Sequence, residues 1–240
     1  MKIIKSLSLN SSKKVRKSSQ IKYVIIHYTG MQSTRVSLKR LKNLSSKVSA
    51  HYLIDRNGKV INLVETNKIA WHAGKSKWFG FNNLNKNSIG IELQNKGHNL
   101  NYQNFTLKQL ASLMKICKKL KKKYKIKSKN FLGHSDIAPL RKKDPGEKFP
   151  WKKLSKKGFG EWYSEKDLKG IEEPDEKKDR ERAFFANIKK IGYRYFTPSS
   201  SKKVKGLVIK AFKRRFEPKS VNDKITPKTF KISSFLAKKP

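Results

Sequence analysis

Residues 23–29 read Tyr-Val-Ile-Ile-His-Tyr-Thr, a compact β-branched and aromatic run that has the composition of a buried strand and ends on His27, Tyr28 and Thr29. The elements around it follow in a definite order. Residues 34–44 set Val36, Leu41 and Leu44 among basic residues, which predicts a short helix. Two strand-like runs, 50–55 and 59–64, flank Arg56-Asn57-Gly58, and Asn-Gly predicts a hairpin because both residues tolerate positive φ. Residues 88–94 supply another strand. Thr106-Leu107-Lys108-Gln109 matches a capping box. Leu107, Leu110, Leu113, Met114, Cys117, Leu120 and Tyr124 then recur at helical spacing, opposite a face that is nearly all lysine. Phe131-Leu132-Gly133-His134 is a short strand leading into a loop. This order predicts an α/β fold with a mixed central β-sheet flanked by helices.

Charge marks where that unit ends. The chain carries 59 Lys+Arg against 17 Asp+Glu over 240 residues, formally +42. Residues 1–160 hold 37 basic and 6 acidic side chains, residues 161–181 hold 5 and 9, and residues 182–240 hold 17 and 2. The acidic stretch, with Glu172-Glu173-Pro174-Asp175-Glu176, reads as a linker or as the polar start of a helix. Beyond it, residues 183–188 and 204–216 show helical apolar faces, and Thr226-Pro227 starts a third helix with Phe230, Ile232 and Phe235. The expected organisation is a domain over 1–160, an acidic linker over 161–181 and a small all-α module of three helices over 182–240, marginal alone and docked on the first.

The positive field attracts polyanions in principle. Lysine is spread along the chain, however, and no recognition helix, zinc-finger spacing or RNP-like strand accompanies it. No specific nucleic-acid partner is therefore expected; the even spread favours a lysine-biased composition that sets solvated Lys on every exposed face, with the gathering of an acidic substrate as the intermediate reading. A single cysteine, Cys117, excludes an intramolecular disulfide and a cysteine-based zinc knuckle. The first residues lack the continuous apolar run of a secretory signal, and no stretch has the 18 or more apolar residues of a membrane span. The expected location is cytoplasmic, with the periplasm as the alternative.

The chemistry-bearing residues lie far apart in sequence. His27 ends the first strand, His134 follows another short strand, and Asp144 lies ten residues further on. Two histidines and a carboxylate with a fourth position open are the ligand set of catalytic zinc. Asp136 is a competing carboxylate two residues from His134, and spacing does not choose between them. Glu92, on the strand at 88–94, offers a base for a metal-activated water. His98, in the polar loop 95–99, reads as solvated.

Six ordered segments carry a resemblance: 25–29 (Ile-Ile-His-Tyr-Thr), 49–54 (Ser-Ala-His-Tyr-Leu-Ile), 70–74 (Ala-Trp-His-Ala-Gly), 88–92 (Ser-Ile-Gly-Ile-Glu), 133–139 (Gly-His-Ser-Asp-Ile-Ala-Pro) and 141–146 (Arg-Lys-Lys-Asp-Pro-Gly). Over residues 15–155 the chain resembles the zinc-dependent N-acetylmuramoyl-L-alanine amidases of the type-2 family, which share a fold with peptidoglycan recognition proteins. The resemblance implies one Zn²⁺ per chain on His27, His134 and Asp144, with Glu92 as general base. It implies Lys142, next to Lys143, as the oxyanion-stabilising lysine, and places His51, Trp71 and His72 near the substrate groove. The implied reaction is hydrolysis of the lactyl–L-alanine bond of peptidoglycan or muropeptides, in particular anhydro-muropeptides during recycling of the bacterial cell wall. The region from Lys178 resembles a three-helix peptidoglycan-binding module, and a monomer is expected. Two rivals remain: a non-catalytic recognition protein on the same fold, and a polyanion-binding protein with a structural zinc site.

Overall fold

The computed structural model describes residues 2–239. Its strands are β1 (Ile3–Lys5), β2 (Tyr23–Tyr28), β3 (Tyr52–Ile54), β4 (Val60–Asn62), β5 (Lys77–Trp78), β6 (Phe81–Asn82), β7 (Ser88–Leu93) and β8 (Phe131–Gly133). Six of them form one sheet in the order β1-β4-β3-β7-β2-β8, while β5 and β6 make a separate ribbon. Neighbours run parallel except for the antiparallel β3–β4 hairpin, so the sheet is mixed. The edge strand β1 was not foreseen, because Ile3-Ile4 is too short to carry a periodic signal. In the hairpin only Gly58 takes a positive φ, 88°. A Cβ there would lie 2.8 Å from the Lys108 carbonyl oxygen, so the approach of the following helix demands glycine.

The helices are α1 (Thr34–Lys42), α2 (Leu107–Tyr124), α3 (His134–Ile137), α4 (Trp151–Ser155), α5 (Lys177–Ile191), α6 (Lys202–Phe216) and α7 (Pro227–Ala237). Alternation along β2 assigns them to layers. Val24 and Ile26, with Ile89 and Ile91 of β7, meet Leu110, Leu113, Cys117 and Leu120 of α2. Tyr23 and Ile25 point to the opposite face and share a core with Phe184, Ile188, Val208 and Phe212 of α5 and α6. Toward the other edge, Leu41 of α1 packs on Leu53, Ile61 and Leu63. Only half of the capping box forms. The Thr106 hydroxyl accepts from the Gln109 amide at 3.1 Å, but the buried Gln109 side chain donates to the carbonyls of Ile54 and Gln94, at 3.1 and 3.0 Å, and so pins α2 to the strand ends.

Helix α5 starts at Lys177, inside the acidic stretch, and Arg180 pairs with Glu173 at 2.9 Å. The part before it is a packed segment with Leu168 buried among the C-terminal helices. The three C-terminal helices thus complete one face of the sheet instead of closing on a separate core. Removing a large side chain from this shared core costs about 3–5 kcal/mol. Phe212→Ala should therefore lower the urea midpoint of the whole chain in one cooperative transition. Two transitions, with that of the sheet unmoved, would show that the layers are energetically independent.

Candidate active site

Strand register brings the distant residues together. His27 pairs with Glu92 across the parallel β2–β7 ladder, so both side chains project from one sheet face at the carboxyl ends of the strands. That is where parallel sheets bind ligands. On the other side Ile26 pairs with Gly133, which delivers His134 at the start of α3 beside His27. The Ser135 amide donates to the Asp144 carbonyl at 2.8 Å and folds the 141–146 loop back onto the same turn.

Three donor atoms converge there. His27 Nδ1 lies 3.0 Å from His134 Nδ1 and 2.9 Å from Asp144 Oδ2, and His134 Nδ1 lies 3.0 Å from the same oxygen. The remaining ring nitrogens have partners of their own. His134 Nε2 donates to the Ala73 carbonyl at 3.1 Å. His27 Nε2 donates to His72 Nδ1 at 3.0 Å, His72 Nε2 donates to Ser88 Oγ at 3.2 Å, and that hydroxyl donates to the Leu84 carbonyl at 2.6 Å. This chain assigns the protons to Nε2 and leaves both Nδ1 lone pairs facing one point together with a carboxylate oxygen. A divalent cation such as zinc suits that donor set, and hydrogen-bonded outer nitrogens are its usual support. All three residues are buried.

Burial, with the neighbouring charge of His134, lowers His27 to about 4 despite its bond to Asp144. Burial alone would raise the Asp144 carboxyl, but His134 and His27 hold it well below the usual carboxylate range. Glu92 behaves in the opposite way. Burial and the nearby Asp144 push it up to about 8, against a smaller opposing effect of Lys142. One of its oxygens, Oε2, is sealed from solvent without a hydrogen-bond partner. An unpaired buried oxygen is costly to keep, and such groups cluster at functional sites.

The site floors a cleft of about 1080 Å³. Trp71 and His72 line it, as do Tyr28, His98 and five basic residues: Lys39 and Arg40 of α1, with Arg141, Lys142 and Lys143. His51 does not reach the cleft. It is fully buried, its Nδ1 accepts from the Gly90 amide at 2.9 Å, and its Nε2 lies 3.1 Å from the Lys68 carbonyl. It therefore supports the floor from below, next to His72. His72 occupies the space left by Gly90, where a Cβ would fall 2.3 Å from the imidazole. His98 is not simply solvated: its Nδ1 lies 2.8 Å from the Tyr28 hydroxyl, its Nε2 3.1 Å from Glu147, and its ring stacks on Tyr102. Arg141 was not singled out from sequence, yet its guanidinium donates to the carbonyls of Ala73 and Lys75 and so fixes the segment that holds His134 Nε2. Its place in the 141–146 segment was the available signal. Buried Arg16, bonded to the Thr66 and Asn85 carbonyls, gave none.

A mixed α/β sheet with a two-histidine, one-carboxylate centre at its strand ends defines a class of metal-binding proteins, and comparison narrows the class to one family. The N-acetylmuramoyl-L-alanine amidase (Amidase_2) family matches residues 17–147, and the chain belongs to this family. It is 40% identical over 155 residues to the N-acetylmuramoyl-L-alanine amidase AmiD of Escherichia coli K12, covering 60% of this chain and 55% of that protein. It is 44% identical over 108 residues to the 1,6-anhydro-N-acetylmuramyl-L-alanine amidase AmpD of Haemophilus influenzae, covering 45% of this chain and 56% of that protein. The chain thus spans about half the length of these curated relatives. A solved complex of E. coli AmiD with anhydro-N-acetylmuramic acid-L-Ala-D-γ-Glu-L-Lys superposes with a TM-score of 0.81 at 31% identity, over 94% of this chain and 91% of that one. At that coverage the superposition extends beyond the sheet into the C-terminal helices. No helix among the described residues is long and apolar enough to cross a membrane.

The environment of Glu92 gives a pH-dependent prediction. Its folded value of about 8 exceeds the ordinary 4.5, so the native state holds a proton that the unfolded chain releases between these values. Stability therefore falls as pH rises through that window. Glu92→Gln, neutral at every pH, removes this loss. The melting temperature of metal-free Glu92→Gln should match wild type near pH 5 and exceed it increasingly toward pH 8–9. A difference that stays constant with pH would contradict the assignment.

Proposed function

We propose that the protein is an N-acetylmuramoyl-L-alanine amidase that hydrolyses the lactyl–L-alanine amide of peptidoglycan fragments, with anhydro-muropeptides of wall recycling as its substrates. The observation that carries this reading is the convergence of His27 Nδ1, His134 Nδ1 and Asp144 Oδ2 beside the unpaired Glu92 oxygen on the floor of a basic cleft. The anhydro-muropeptide bound to AmiD in the related complex supports the substrate class. One Zn²⁺ per monomeric chain on His27, His134 and Asp144 is part of the proposal.

Zn²⁺ bound there supplies a Lewis acid and a water of lowered pKa. The chain's own residues do the rest. Glu92 accepts the proton of the attacking water and returns it to the leaving nitrogen of L-alanine. Its elevated affinity for protons suits both steps. Lys142, whose charge acts on both Glu92 and His27, offers positive charge to the carbonyl oxygen as the centre becomes tetrahedral. Lys143, beside it, is exposed on the rim. Trp71 and His72 on the cleft wall are the proposed substrate contacts. His51 is proposed to act only by supporting the floor. The catalytic unit of the proposal is residues 1–160, with the helices of 182–240 as a peptidoglycan-binding-like module. The basic wall attracts stem peptides through their carboxylates.

The test is mass spectrometry of anhydro-muropeptide incubated with purified protein. Release of free stem peptide should stop on chelation and return with zinc, at one metal per chain. Glu92→Ala should lower kcat about 10²–10⁴-fold, and Lys142→Met about 10²–10³-fold. Metal bound at one equivalent without cleavage of fragments or intact wall would identify a recognition protein instead. In addition, kcat/KM should fall with rising salt, and Lys39→Ala/Arg40→Ala should flatten that dependence. A salt-independent wild type would remove the electrostatic role.

A further inference from the structure

Asp136 sits in the same short helix as His134 but takes no part in the donor cluster. It is 1% exposed and turned the other way. Its Oδ2 accepts from the Gly133 amide at 2.8 Å and from Arg215 Nη1 at 2.5 Å, and its Oδ1 accepts from the Tyr193 hydroxyl at 2.7 Å. Arg215 comes from the last turn of α6 and Tyr193 from the segment after α5. The same guanidinium donates through Nη2 to the Phe131 carbonyl of β8 at 3.1 Å and lies 4.2 Å from the centre of the Trp151 ring. One arginine of the C-terminal helices thus holds both the strand before the Gly133–His134 step and the turn after it.

The energetics of such a pair point away from simple glue. An ion pair this deeply buried seldom stabilises a fold more than apolar side chains of the same volume would, because both charges must be stripped of water. What it does supply is fixed geometry at the one place where the chain must aim an imidazole. His134 presents Nδ1 to the other two donors only while its Nε2 meets the Ala73 carbonyl. A turn free to shift would break that alignment.

We propose that Arg215 and Tyr193 are positioning residues for the metal centre. Acting through Asp136, they make the C-terminal helices part of the scaffold that orients His134, so that metal binding and docking of these helices are thermodynamically coupled. The proposal rests on reading His27, His134 and Asp144 as metal ligands. Neither residue touches the ligand cluster itself, and the effect runs entirely through the β8–α3 turn. Coupling of this kind is reciprocal: helices that favour metal binding must themselves be held more firmly when the metal is bound.

The experiment uses the full-length chain. Zn²⁺ affinity is measured by competition with a chromogenic chelator, and the visible spectrum of the Co²⁺-substituted protein reports coordination geometry. Thermal melts run in parallel on wild type, Tyr193→Phe, Arg215→Met and the double variant Asp136→Asn/Arg215→Met. Loss of an outer-sphere partner of a metal ligand lowers affinity about 10–100-fold. Arg215→Met, one step further from the ligands, should show a loss below that range with an altered Co²⁺ band, and Tyr193→Phe a smaller loss in the same direction. The double variant, which leaves no buried charge unpaired, should recover thermal stability but not zinc affinity. In wild type, zinc should slow amide exchange across residues 202–216, and in the double variant it should not.

Unchanged zinc affinity and Co²⁺ spectrum in the folded double variant and in Tyr193→Phe would overturn the proposal and leave the pair a purely structural contact. Should Arg215→Met fail to fold, these two variants decide the question. A wild-type protein that binds no zinc would instead sink the metal reading itself, which separates the two failures.

Discussion

The register of β2 against β7 is the constraint on which the rest of the site depends. It sets His27 opposite Glu92 and Ile25 opposite Gly90. The first pairing puts a metal-ligand candidate and the proposed proton acceptor side by side on one face. The second opens the space that His72 needs. Because side chains alternate between faces, a slip of one residue would turn His27 into the α2 layer and replace it with Tyr28. The apolar residues enforce the register: Val24 and Ile26 must meet α2 while Tyr23 and Ile25 must meet the other layer.

With the register fixed, the polar cluster is built as a closed chain of partners. His27 and His134 each give Nε2 to a partner, an imidazole and a carbonyl respectively, and keep Nδ1 free for the centre, while His72 spends both nitrogens linking His27 to Ser88. Groups placed this deep are affordable only when paired, since an unpaired buried polar atom costs about 1–3 kcal/mol. Glu92 Oε2 is left without a partner. A proton acceptor must keep a lone pair available, so this local cost and the proposed chemistry have the same origin.

Much of this was legible in the sequence, because strand composition and the ordered His-containing segments are local signals. The order of the central elements, the mixed sheet, the three C-terminal helices, and His27, His134 and Glu92 could be read from them, whereas β1 could not, and Asp144 was implied only by the family resemblance. What was misread depended on contacts between segments. His51 looks like a groove residue from its neighbours, but the amide of Gly90, on a different strand, holds it below the floor. His98 looks solvated in a polar loop, yet Tyr28 and Glu147 reach it from elsewhere in the chain. Gln109 matches a capping box, yet the carbonyls of two strand ends take its side chain.

The ambiguity between Asp136 and Asp144 marks the limit of sequence most clearly. Both are aspartates near His134, and residue type and spacing suit either as a ligand. The resemblance points to Asp144, and the physical reason is that α6 delivers Arg215 to Asp136 while the fold-back of the 141–146 loop delivers Asp144 to the imidazoles. The sequence by itself determined which side chains are candidates for the chemistry and which strands present them, because hydrophobic periodicity is a property of short segments. The tertiary structure decided how each carboxylate is held, which histidines line the cleft and how the C-terminal helices complete the core, because side-chain direction depends on partners brought together from distant parts of the chain.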